Sequence, residues 1–316
     1  MNIGKNRQGI TAAAALAFGA LVLAVPKAAA RGFAGGTALC LQSVLPALFP
    51  FFVVCELLTA TPPPPVLLRP VQRVLGLESA ETARALLLSW VGGYAVCARL
   101  SGQLYGAGRI TRRDAALLQV LGCCSGPGFV IGCVGGALLG NVRLGVVLYA
   151  AQIGANLGAG GCIALLWDGR RGRCSSSPRG RMQASAPTDC TREVSGHGEV
   201  TLPQAISSAV SSSLSVCGCV VFFRIVGAVL LAVLPLPSAA VSAALEVSAG
   251  CADFAVLGGA AALYGCCACL SVLGVSVWAQ LRLFAGTAYR PRLLLASRAV
   301  HLVLLQLLVR VCVVQL

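Results

Sequence analysis

Several runs of apolar residues in this chain approach the ~20 that cross a lipid bilayer as a helix. Nothing else in the sequence restricts the fold as strongly, because a segment in lipid must satisfy its own backbone. With 57% hydrophobic and 11% charged residues in 316, the chain is too apolar for an ordinary soluble domain. It reads as an all-α, polytopic membrane protein, multi-pass in a cell membrane, with the lipid bilayer as its first partner. The net charge of +14 does not point to nucleic acid. The basic residues sit between apolar runs, as they do in cytoplasmic loops.

The stretch from Ser89 to Gly140 does not behave like a plain span. Gly92-Gly93-Tyr94 and Ser125-Gly126-Pro127-Gly128 interrupt apolar sequence, and Arg99 follows the first break. Unwound backbone at membrane depth is tolerated where protein or a watery cavity satisfies it, so such breaks mark binding sites.

In chain order, Ile10 to Val25 reads as a first helix with a cytoplasmic N-terminus. A secretory signal ending at Ala28-Ala29-Ala30 is the competing reading. A second span runs over 37–59, with Pro46 and Pro50 as kinks and Glu56 near its end, either facing the headgroups or lining a site. Residues 86–105 read as a re-entrant segment broken at Gly92-Gly93. Thr111 and Asp114 form a helix start. Spans follow at 116–139, broken at Ser125–Gly128, and at 144–167, where Gln152 and Asn156 share a face. Residues 168–200 form a basic linker with Arg170, Arg171, Arg173, Arg179, Arg181 and Arg192; His197 is solvated there. The second half gives a span over 203–234, a second re-entrant segment over 236–257 carrying Glu246, Gly250 and Asp253, and spans over 258–280 and 293–316.

The total is about seven spans and two re-entrant segments. The pieces fall into an N-terminal helix (1–36), a first repeat (37–167), the linker (168–200) and a second repeat (201–316). The charge bias places the two re-entrant segments on opposite sides, which is an inverted repeat.

The segments LPALFPFFVV (45–54), GGYAVCARLSGQLY (92–105), SGPGFVIGCVG (125–135), SLSVCGCVVFF (213–223), LEVSAG (245–250) and SVWAQL (276–281) resemble the YlbJ-type sporulation integral membrane protein family. That resemblance covers about residues 37–316. It implies the nucleoside-recognition, or gate, domain shared with spore maturation proteins, and a role in building the endospore.

The candidate solute-binding residues are Gly92, Gly93, Tyr94, Arg99, Gln103, Ser125, Gly126, Pro127, Glu246, Gly250 and Gln280. Freed backbone groups would hydrogen-bond a small polar solute, Arg99 would hold an anionic group, and Tyr94 and Gln103 would meet a ring. Glu246 would pair with Arg99 or bind a coupling cation. The expectation is a transporter or channel; the alternative is a non-transporting membrane scaffold for spore cortex or coat assembly, with copies of itself or other spore membrane proteins as the expected protein partners in either reading. The 16 cysteines lie mostly in apolar runs as small hydrophobes. Cys123-Cys124 and the Cys266–Cys269 run have just His197 and His301 as possible imidazole partners, so neither metal nor cofactor is expected. No nucleophile–base pairing stands out, and an enzyme is not expected.

Overall fold

The computed structural model describes residues 3–60, 64–171 and 200–313. Most of the predicted linker, His197 included, lies outside the described residues. Among the described residues the secondary structure is entirely helical: α1 (Ile3–Ala24), α2 (Pro26–Leu39), α3 (Leu45–Ala60), α4 (Pro65–Val74), α5 (Ala80–Gly106), α6 (Arg112–Gly122), α7 (Val142–Arg171), α8 (Leu202–Val233), α9 (Ser238–Leu245), α10 (Val247–Ala255), α11 (Gly259–Val272), α12 (Gly274–Ala285) and α13 (Pro291–Val313). Among the described residues six helical stretches are long and apolar enough to cross a membrane. The chain is a multi-pass membrane protein; one of these stretches is α5, which the sequence reads as a re-entrant segment. In α1 the apolar part among the described residues runs over Ala12–Ala24.

The second span begins earlier than expected, because α2 and α3 join end to end. Pro46 cannot donate to the preceding turn, and the chain winds wide over Cys40–Val44, with Leu45 N–H reaching back five residues to Cys40 O.

Helix α5 is long enough to span, yet it turns back on itself. Gly93 (φ 79, ψ −170) breaks it. A straight helix would hold residues 81 and 109 roughly 40 Å apart at 1.5 Å per residue. Instead Glu81 and Arg109 form an ion pair. Helix α6 lies against both arms: Trp90 Nε1 donates to Leu121 O (3.0 Å), and Gln119 Nε2 to Ser101 Oγ (3.3 Å). The expected re-entrant segment is therefore a helical hairpin with its tip at Gly93.

The base of this hairpin is fixed by Asp114, which is fully buried. Its carboxylate accepts from Glu78 N–H (3.0 Å), Ser79 N–H (2.8 Å) and the Thr82 hydroxyl (2.7 Å), while its own N–H donates to Thr111 Oγ1 (3.1 Å). Asp114→Ala strips three donors, the buried Thr82 hydroxyl among them, of their acceptor and is expected to cost about 3 kcal/mol, with Asp114→Asn losing less. Thermal unfolding of the detergent-purified protein measures both.

After α6 the chain is non-helical over Cys123–Gly126 and then winds wide again over Gly128–Leu138, completing the expected broken span. Helix α7 returns.

The second half repeats this order. Helix α8 is a span. Helices α9 and α10 form a hairpin with Glu246 at its tip; Ser242 Oγ donates to Asp253 Oδ2 across it (2.6 Å). Helices α11 and α12 make a broken span, parted at Leu273, the one non-glycine residue with positive φ (+70) among the described residues. The span expected to run unbroken over 258–280 is thus a broken one. Helix α13 is the last span.

Corresponding spans pack side by side. Gly32 lies on Ile225, Gly36 on Val221 and Cys40 against Cys217, so α2 and α8 run antiparallel. Gly158 against Leu304 and Gly154 against Leu308 show the same for α7 and α13.

Candidate functional site

Each hairpin tip touches the break of the span that follows it. A methyl group on Gly93 would sit 3.0 Å from Gly126 N, and one on Gly274 would sit 2.8 Å from Glu246 N. The first contact borders an open space. Gly92, Gly93, Tyr94, Ser125 and Gly126 line it with Leu48, Phe52, Phe129, Val216 and Ser248. The backbone between α6 and residue 128 is held from behind by Gln152, whose Nε2 donates to Ser125 O (2.9 Å) and whose Oε1 accepts from Ser125 N–H (3.4 Å). A non-helical residue here receives from one side chain both of the hydrogen bonds its backbone needs.

This space adjoins a larger cleft of about 220 Å³ between α3, the second arm of α5, α8 and α12; Phe52, Ala95 and Val216 face both. Glu56 and Arg99 lie on its wall as an ion pair, Arg99 Nη2 to Glu56 Oε1 at 2.9 Å. Opposite stand Ser208, Ser211, Ser212 and Ser215, spaced to share one face of α8, with Gln280 of α12.

The pairing expected between Arg99 and Glu246 does not form. Helix α3 packs on the second arm of α5 and brings Glu56 to Arg99. Glu246, 2% exposed, caps α10 instead, accepting from Ala249 N–H at 2.7 Å, a favourable place for a carboxylate at a helix N-terminus.

The other candidates scatter. Gln103 is exposed and does not line the cleft. Pro127 starts the wide-wound segment after the break. Gly250 is buried where the two arms of the second hairpin cross, against the Ala243 backbone. Gln280 does line the cleft.

Two features carry no mark in the sequence reading. One is the serine stripe of α8, legible as a seven-residue period (208, 211, 212, 215) inside an apolar span. The other is a second ion pair, Arg224 to Asp253, with Nη1–Oδ2 at 2.8 Å and Nη2–Oδ1 at 2.5 Å, closed further by Ser242. Asp253 stands seven residues past the tip at Glu246, and Arg99 six past the tip at Gly93. Each hairpin therefore carries a charge on its second arm at about the same distance from its tip, with the signs exchanged.

Over 163 residues the chain is 28% identical to the sporulation integral membrane protein YlbJ of Bacillus subtilis (strain 168). The aligned stretch is 51% of this chain and 40% of that relative, so the chain spans well under two thirds of the relative's length. No family model matches the chain, and neither does any solved structure.

Proposed function

We propose that this membrane protein acts in spore formation in an endospore-forming bacterium and moves a small polar solute across a membrane. The likeness to a sporulation integral membrane protein supports the first part. The second part rests on one observation: two unwound segments, Gly92–Gly93 and Ser125–Gly126, meet at the inner end of a polar cleft. Backbone amides and carbonyls freed from helices bind polar solutes within membranes.

The arrangement around them supports an inverted repeat. Spans of like position run antiparallel, each half offers a hairpin followed by a broken span, and tip meets break twice. In such repeats the site lies where the halves join, and one half rocks on the other to open it to either side. Val216 and Ser248 of the second half at the inner chamber fit that junction. The gate and nucleoside-recognition character implied by the resemblance fits the same reading, a nucleoside being one solute of this kind.

In proteoliposomes holding the purified chain, uptake of a panel of labelled nucleosides, amino acids and small acids is expected to exceed that of empty vesicles for at least one member. Glu56→Gln and Arg99→Gln are each expected to lower that uptake at least tenfold with membrane insertion unchanged. Full uptake in both variants would refute the cleft as the path.

A further inference from the structure

We infer that the cleft takes a zwitterion of the amino-acid type, seated on the Glu56–Arg99 pair. This rests on the transport reading and names its solute class.

The ion pairs carried by the second arms of the two hairpins differ in a telling way. Arg224 and Asp253 meet through both nitrogens and both oxygens, and Ser242 fills the remaining acceptor position. That pair is closed. Arg99 and Glu56 meet through one contact, with side chains 35% and 18% exposed toward the cleft. Among the described residues neither makes another side-chain hydrogen bond. One carboxylate oxygen and several guanidinium N–H groups are left facing the same space. An intramembrane ion pair left half open invites completion, because charge in an apolar slab is expensive unless fully matched.

A simple ion completes only half of it. A cation on Glu56 would compete with Arg99, and an anion on Arg99 would compete with Glu56. A solute carrying both charges closes the ring: its carboxylate accepts from Arg99, and its ammonium donates to the free oxygen of Glu56. The pair's own contact survives and the cleft stays neutral.

The opposite wall has the matching polarity. The hydroxyls of Ser211 and Ser215 already donate to the carbonyls of Ser207 (3.2 Å) and Ser211 (2.9 Å). Their oxygens therefore present lone pairs outward. Gln280 Nε2 donates to Ser276 Oγ (3.3 Å), which leaves its carbonyl free to accept. A wall with spare acceptors suits an ammonium, which has three donors and no acceptor. Phe52, Val96, Val216 and Phe284 supply an apolar surface for a side chain.

The test uses the full chain in two measurements, vesicle uptake and ligand-induced thermal shift in detergent, with four probes. L-leucine carries both charges, leucinol lacks the carboxylate, 4-methylpentanoate lacks the ammonium, and uridine is a neutral polyhydroxyl compound. Leucine is expected to raise the melting temperature and to enter at least tenfold faster than the other three. Arg99→Gln is expected to erase the preference for leucine over leucinol, and Glu56→Gln that over 4-methylpentanoate. Glu56→Asp, which keeps the charge, is expected to restore part of it. Leucine shifting the melting temperature through Arg99 without entering vesicles supports the ligand class and defeats transport. Uridine entering while leucine neither enters nor shifts the melting temperature defeats the ligand class and keeps transport. Neither shift nor uptake with leucine, alongside no uptake of any probe, defeats both.

Discussion

Gly93→Ala is expected to destabilise the protein by roughly 3 kcal/mol and to abolish solute movement. Two costs add at this position. The backbone angles φ 79 and ψ −170 fall where only glycine is at ease, and forcing a side chain there costs on the order of 1–3 kcal/mol. The added methyl group would also stand 3.0 Å from Gly126 N and 3.4 Å from Cys124 O. Those are backbone atoms, which cannot swing aside as a flexible side chain does. Relief requires the hairpin tip to withdraw from the broken span, and that contact borders the inner chamber. Gly161→Ala is the matched control: it lies within α7 with nothing near the new methyl group, so it is expected to be neutral or slightly stabilising. Thermal unfolding followed by tryptophan fluorescence compares the two, and equal midpoints would remove the case for a tight tip.

The first half of this fold is largely written in punctuation. Gly92–Gly93 and Ser125–Gly128 announce breaks because glycine and proline are the residues that cannot hold a helix, and Thr111 with Asp114 announces a helix start through its cap. Gln152 and Asn156, four apart, both end up fully buried, with Gln152 on the break at Ser125 and Asn156 on Arg298. The second half hides its break. At Leu273 a bulky residue takes the left-handed conformation and Gly274 beside it makes room, so an apolar run reads as one span. Partner choice was hidden too. Glu56 and Glu246 are the same chemical group, and spacing along the chain cannot tell which one meets Arg99. Packing of α3 on the hairpin decides it. The serine stripe fails to register for another reason: small hydroxyls that bond back to their own helix pass for apolar filler.

Arg298→Ala is expected to do the largest damage away from the cleft, about 4 kcal/mol. Arg298 sits on the last span, 3% exposed, and in the sequence it is merely a basic residue in an apolar segment. In the fold it is the cap of α6. That helix stops at Gly122 in the middle of the broken span, where its last carbonyls have no helical donor and no bulk water. Nη1 donates to Cys123 O at 2.9 Å, Nη2 to Val120 O at 3.4 Å, and Nη2 also to Asn156 Oδ1. A cation at a helix C-terminus is favoured by the dipole as well. Alanine leaves two carbonyls and an amide oxygen buried without donors, each costing about 1–3 kcal/mol. Lysine keeps the charge but not the fork, so Arg298→Lys is expected to fall between. Arg310→Ala, on the same helix but exposed, is expected to change little. The sharper readout is local: with the cap gone α6 should fray at its inner end, and Cys123 and Cys124, both fully buried, should react with a maleimide severalfold faster, as followed by mass spectrometry of the peptide that holds them. If Arg298→Ala melts with Arg310→Ala and leaves those thiols protected, the broken span is held open by something other than this arginine.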